Sequence, residues 1–142
     1  MSAEVKQLPG EPIVIITYND PWIPEKDTLA AGPIFAQLEQ QFAGPIFRIT
    51  DFRQLHISPG TMSAALMTVT KRGVVGAVAD PRIQLLMVGT DVLVKTVRKS
   101  LAQGQYGELS TAPQLFSNTD DALVFARAKL ARYAQDKREE SK

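Results

Sequence analysis

The sequence contains no cysteine, which excludes disulfides, thiolate metal sites and cysteine nucleophiles together. It has one histidine, so a metal site would have to rest on carboxylates. Its 16 basic and 15 acidic residues nearly cancel, so no net field attracts nucleic acid or an anionic membrane. No apolar run approaches the roughly 20 residues that span a bilayer. We therefore expect no metal, no cofactor, no nucleic-acid partner and no membrane insertion.

The first residues, Met1-Ser-Ala-Glu-Val-Lys6, also lack the basic-then-apolar pattern of a signal peptide. We expect a cytoplasmic protein. The length of 142 residues suits one domain with one substantial core, and no linker divides the chain. We expect a single domain over 1–142, with flexible ends at 1–10 and 135–142.

Strand and helix patterns alternate about four times along the chain. Apolar runs predict strands at 12–18, 46–50 and 83–88, and a short apolar run predicts another around 114–116. Helical spacing predicts a helix within 27–42, and capping residues predict helices that begin at Pro59, after the cap Ser58, at Thr90 and at Ser117. Gly32-Pro33 interrupts the first helical pattern, so this segment is either a kinked helix or a loop followed by a shorter helix. The predicted fold is α/β, a single mixed, mostly parallel four- or five-stranded sheet with helices packed against it.

Two segments invite a catalytic interpretation. The stretch from Gly89 to Thr96 is similar to a phosphate-binding loop, but Val94 replaces the glycine whose backbone would curl around phosphate. A capped helix with a basic outer face explains it better. His56 follows Asp51 closely, yet no nucleophile stands at a triad spacing from them, so we interpret His56 as structural or exposed. We expect no enzyme.

Basic residues recur without interleaved aromatic residues, which favours solvated helix faces over a nucleic-acid surface. They are Arg48, Arg53, Lys71, Arg72, Arg82, Lys95, Arg98 and Lys99. Trp22 lies between two prolines, where it could anchor a partner, line a ligand pocket or close over the edge of the core.

The pattern from Ile46 to Met67, then Asp80-Pro81-Arg82-Ile83 and Val88-Gly89, resembles the SpoIIAA-like group, the fold of STAS and anti-anti-sigma-factor domains. The closing stretch from Leu115 to Leu123 adds to this resemblance, which covers roughly residues 11 to 134. It implies a regulatory domain whose loop after a central strand presents a serine to a partner kinase. Asp51 matches the acidic strand end and Ser58 falls near the phosphoacceptor, while Ile57 and Pro59 depart from the Asp-Ser-Ser/Thr-Gly sequence of that group.

Two functional hypotheses follow. The first is a non-catalytic, cytoplasmic protein-interaction or regulatory module of the SpoIIAA-like type, with Asp51, His56, Ser58 and Thr61 as its partner-binding or phospho-switch loop. The partner would be a protein, and a homodimer is a further candidate. The second is a small-molecule or lipid-binding domain with an apolar pocket between helices and sheet. Its predicted border is Trp22, Phe35, Phe52 and Met62, which are equally able to fill such a space.

Overall fold

A computed structural model of the chain describes residues 3–20, 32–56, 58, 83–90, 95 and 114–140. The strands and helices are, in chain order, β1 (Ala3–Gln7), β2 (Ile13–Tyr18), α1 (Gly32–Gln41), β3 (Ile46–Asp51), β4 (Ile83–Val88), β5 (Gln114–Phe116) and α2 (Thr119–Glu140).

The five strands form one sheet whose spatial order is the same as their order in the chain. β1 pairs antiparallel with β2, and each later strand pairs parallel with the one before it. The predicted α/β class and the single mixed, mostly parallel sheet are therefore confirmed. The carboxyl ends of the parallel strands β2, β3, β4 and β5 lie along one edge of the sheet.

Each face of the sheet packs against one described helix, since side chains alternate between the faces along every strand. On the α1 face, an apolar cluster joins helix α1 to strands β2, β3 and β4: Val14, Ile16, Tyr18, Phe35, Leu38, Ile46, Phe52, Leu55, Ile83 and Met87. On the α2 face, a second cluster joins helix α2 to the same strands: Ile13, Phe47, Ile49, Leu86, Val88, Ala122 and Ala126.

The helix starts follow from local chemistry. Asn118 caps α2, because its side-chain oxygen accepts the backbone N–H of Asp121 at 2.8 Å while its amide donates to the Asp121 carboxylate at 3.1 Å. In α1, Pro33 is the second residue, where a missing N–H costs no intrahelical bond.

Both ends of the chain that are expected to be flexible contain regular secondary structure, and their flexibility stays a prediction. Residues 3–7 form β1, and α2 continues to Glu140. The helices predicted from Pro59 and from Thr90 lie outside the described residues, apart from Lys95, which is exposed. Over the described ranges, none of the helices is both long enough and apolar enough to cross a membrane.

Candidate functional site

The loop after β3 carries most of the predicted site residues, and it lies at the carboxyl-terminal edge of the sheet. Backbone bonds fix the start of the loop: Phe52 N–H donates to the Val88 carbonyl at 2.8 Å, and Leu55 N–H donates to the Phe52 carbonyl at 3.1 Å. Phe52 and Leu55 are buried, so the loop is held to the core by its own apolar side chains.

Asp51, the last residue of β3, forms a bidentate ion pair with Arg53. The Arg53 Nη2 lies 2.9 Å from Asp51 Oδ2, and its Nε lies 3.0 Å from Oδ1. The Arg53 backbone N–H donates to Oδ1 as well, at 2.9 Å. Hydrogen bonding to Asp51 raises the pKa of Arg53 above its ordinary value. The Asp51 side chain, only 5 % exposed, therefore shapes the turn by holding Arg53.

His56 is paired with Asp20, which lies two residues beyond the end of β2. The His56 Nδ1 is 2.7 Å from Asp20 Oδ2, and the His56 backbone N–H donates to the same oxygen at 3.1 Å. With Nδ1 donating, the imidazole turns Nε2 away from the carboxylate. The His56 side chain is 90 % exposed. This pair joins the loops after β2 and β3, and it places Asp20, rather than Asp51, beside the histidine.

The remaining members of the predicted loop are only partly described. Ser58 is exposed, as a phosphoacceptor must be, and Thr61 lies outside the described residues. Of the predicted pocket border, Phe35 and Phe52 both belong to the apolar cluster on the α1 face. Trp22 and Met62 lie outside the described residues, so the pocket that they would border stays a prediction.

Arg48 corrects an expectation, because it is not on a solvated helix face. It lies in the middle of β3, 2 % exposed, on the α1 face. Its Nη2 donates to the Tyr18 hydroxyl at 3.0 Å and its Nε to the Thr50 hydroxyl at 3.3 Å. Its guanidinium carbon lies 5.5 Å from the Phe35 ring centroid, within cation–π range. Sequence reasoning missed this cluster, although a central strand of a parallel sheet offers an arginine no solvated face.

Two cavities lie at the opposite, amino-terminal edge of the sheet, one on each side of α2. The first, of about 380 Å³, is lined by Pro45, Phe47, Gln84, Leu85, Leu86, Gln114, Phe125 and Lys129. The second, of about 390 Å³, lies between the Gly10–Pro12 turn, the 42–45 turn and α2 residues 130–133. Sequence reasoning did not indicate either cavity, because each forms only where α2 passes the ends of the strands.

The described residues contain no cluster of three or more histidine and acidic side chains arranged to hold a metal ion. Compared with protein-family models, with curated proteins and with solved structures, the chain gives no significant match. A functional proposal therefore rests on two features of the structure, the loop after β3 and the cavities beside α2.

Proposed function

We propose that the chain is a non-catalytic, cytoplasmic protein-interaction or regulatory module of the SpoIIAA-like type, and that it contacts a partner protein through the loop from Asp51 to Thr61. One observation carries the proposal. The described part of the loop is held at two points, by Asp51 with Arg53 and by Asp20 with His56, while the side chains of Gln54, His56 and Ser58 are exposed. A fixed backbone with exposed polar groups loses little conformational entropy when a partner binds.

The loop also suits a charge-based switch. Ser58 lies two residues beyond His56, and a phosphate there would add about −1.5 to −2 charges at neutral pH. Such a group would compete with the Asp20 carboxylate for the imidazole and the N–H of His56. In this proposal, phosphorylation changes the connection between the two loops, and so changes the surface that the partner meets.

Site-specific crosslinking tests the proposal. A photo-crosslinking residue at the exposed Gln54 should capture one defined protein, whereas the same residue at the exposed Arg132 on α2 should not. Ser58→Glu or Thr61→Glu should change the yield of that product, and Gln135→Glu on α2, which adds the same charge elsewhere, should leave it unchanged. Equal capture from both positions, or a yield unaffected by both loop substitutions, would show that the loop is not the working surface.

A specific observation favours a second candidate, the binding of a small amphipathic ligand. The cavity bounded by Phe47, Leu86 and Phe125 falls within the usual size range of ligand sites, at about 380 Å³. Gln84, Gln114 and Lys129 supply carboxamides and a positive charge beside the apolar wall. This combination suits an apolar chain that ends in a carboxylate, at a different place from the predicted pocket.

Native mass spectrometry with a medium-chain fatty acid distinguishes this candidate. The chain should retain one molecule of the acid, and Gln114→Trp, which fills the cavity, should abolish the adduct. Lys129→Glu should weaken the adduct, whereas Arg132→Glu, on an exposed part of the same helix, should not. Retention by the Gln114→Trp variant would place the ligand elsewhere.

A further inference from the structure

The outer edge of β1 is a second surface with a definite chemistry, separate from the proposed loop. Within the described ranges, β1 hydrogen-bonds to β2 on one side only and therefore ends the sheet. Its pairing with β2 is regular over all five residues, from Ala3 opposite Tyr18 to Gln7 opposite Val14. An edge strand of this kind presents backbone N–H and C=O groups that can pair with another strand. The other edge, β5, has only three residues.

Charges on β1 are arranged symmetrically about its central residue. Glu4 and Lys6 are both exposed and lie on the same face of the strand, one on each side of Val5. Ala3 and Val5 point to the α1 face, where they pack half-buried against the apolar cluster. Charged side chains on an edge strand, lysine above all, oppose unspecific pairing, and prolines or bulges block pairing outright. The described residues of β1 contain no proline and no bulge, and their two charges have opposite signs, so they disfavour pairing except with a strand of complementary charge.

We propose that two copies of this chain pair through β1, antiparallel and centred on Val5, so that two five-stranded sheets become one continuous sheet. A twofold axis through the Val5 pair places Glu4 opposite Lys6 of the second copy, and Lys6 opposite its Glu4. The two Val5 side chains meet on the α1 face and extend the apolar cluster from one copy to the other.

The charges also select this register. The two sheets keep the same faces on the same side only if opposed residues point to the same face. From one permitted register to the next, the partner of each residue therefore moves by two positions along the second copy. A pairing centred on Glu4 would oppose the two Glu4 carboxylates, and one centred on Lys6 would oppose the two ammonium groups. Like charges directly opposite each other destabilise a sheet, whereas opposite charges stabilise it. Only the Val5-centred register pairs both charges favourably.

A five-residue contact is small, so the dimer is expected to be weak and to depend on concentration. Sedimentation of the full chain over a concentration series up to the millimolar range should show a reversible monomer–dimer equilibrium. Glu4→Lys alone, or Lys6→Glu alone, turns two attractive pairs into two repulsive ones and should weaken the dimer roughly tenfold or more. Asp136→Lys on α2 makes the same change in net charge as Glu4→Lys and should have no such effect.

The decisive experiment mixes the two single variants. Glu4→Lys presents two lysines and Lys6→Glu presents two glutamates, so the mixture should form a heterodimer although each variant alone stays monomeric. The double variant Glu4→Lys/Lys6→Glu should regain the homodimer. A wild-type chain that remains monomeric throughout the series overturns the proposal, and so does a dimer that is indifferent to both reversals. Neither result affects the partner surface at residues 51–61, which is tested separately by crosslinking.

Discussion

The two faces of the sheet are packed by different means. On the α1 face, the fully buried Phe35 and Leu38 of a ten-residue helix cover apolar side chains and the polar cluster around Arg48. On the α2 face, a 22-residue helix contributes only two buried residues, Ala122 and Ala126. Its larger apolar side chains are half-buried: Leu123, Phe125, Leu130 and Tyr133. The longer helix therefore places small fully buried side chains against the sheet, where α1 places large ones.

Helix α2 also extends beyond the sheet, because it is longer than the strands. A helix of 22 residues is about 33 Å long, whereas a six-residue strand spans about 20 Å. Since α2 starts at the carboxyl-terminal edge, just after β5, it passes the amino-terminal edge before it ends. The cavities on its two sides lie where the strands begin. Strand residues on both faces are buried, and the space for a ligand lies beside α2 at the starts of the strands.

Removing the same aromatic ring from each face tests this contrast. Phe35→Ala should lower the free energy of unfolding by about 3–5 kcal/mol, because it opens a large cavity in a fully buried site. Phe125→Ala should cost only about 1–2 kcal/mol, since that ring is half-buried and borders open space already. Urea titration followed by circular dichroism measures both values. Equal costs would show that the faces are packed alike.

The polar cluster on the α1 face gives the next largest effect. Arg48→Ala removes the donor to the Tyr18 and Thr50 hydroxyls and leaves a cavity. We therefore expect the free energy of unfolding to fall by about 2–4 kcal/mol. Tyr18→Phe, which removes one hydroxyl and keeps the ring, should cost about 1 kcal/mol. Arg132→Ala, at an exposed position of α2, should stay within about 0.5 kcal/mol of the original chain. An Arg48→Ala variant as stable as this control would contradict the role assigned to the cluster.

Arg48 also shows where sequence reasoning stops. The strands from β2 to β5 were predicted because apolar runs and flanking turn residues are local signals, and the α2 cap is local too. β1 was missed because its sequence, Ala-Glu-Val-Lys-Gln, is weakly apolar and becomes a strand through its pairing with β2. The position of Arg48 depends on strands on both sides of β3, which come from distant parts of the chain.

The candidate site also has a part that the local sequence predicts and a part that depends on long-range contacts. The sequence pointed to Asp51, His56 and Ser58 because they follow a predicted strand, and the structure places Asp51 at the end of that strand. The contact between Asp20 and His56 could not be foreseen, since the two residues are 36 positions apart. Asp51 and Arg53 are close in sequence, but their ion pair could be predicted only if the geometry of the turn after β3 were known. Local chemistry therefore indicated the loop, and long-range contacts determined its shape.

A tight contact between Gly44 and the Tyr133 ring on the α2 face gives the smallest expected change in the free energy of unfolding. A Cβ atom added at Gly44 would lie 2.5 Å from Cε1 of the Tyr133 ring, closer than atoms can pack. Gly44→Ala should therefore push the end of α2 from the sheet edge and cost about 1–2 kcal/mol of unfolding free energy. In a Tyr133→Ala background the same substitution should cost much less, because the ring that it strikes is gone. A full cost in both backgrounds would show that the contact with the Tyr133 ring is not what requires glycine at this position.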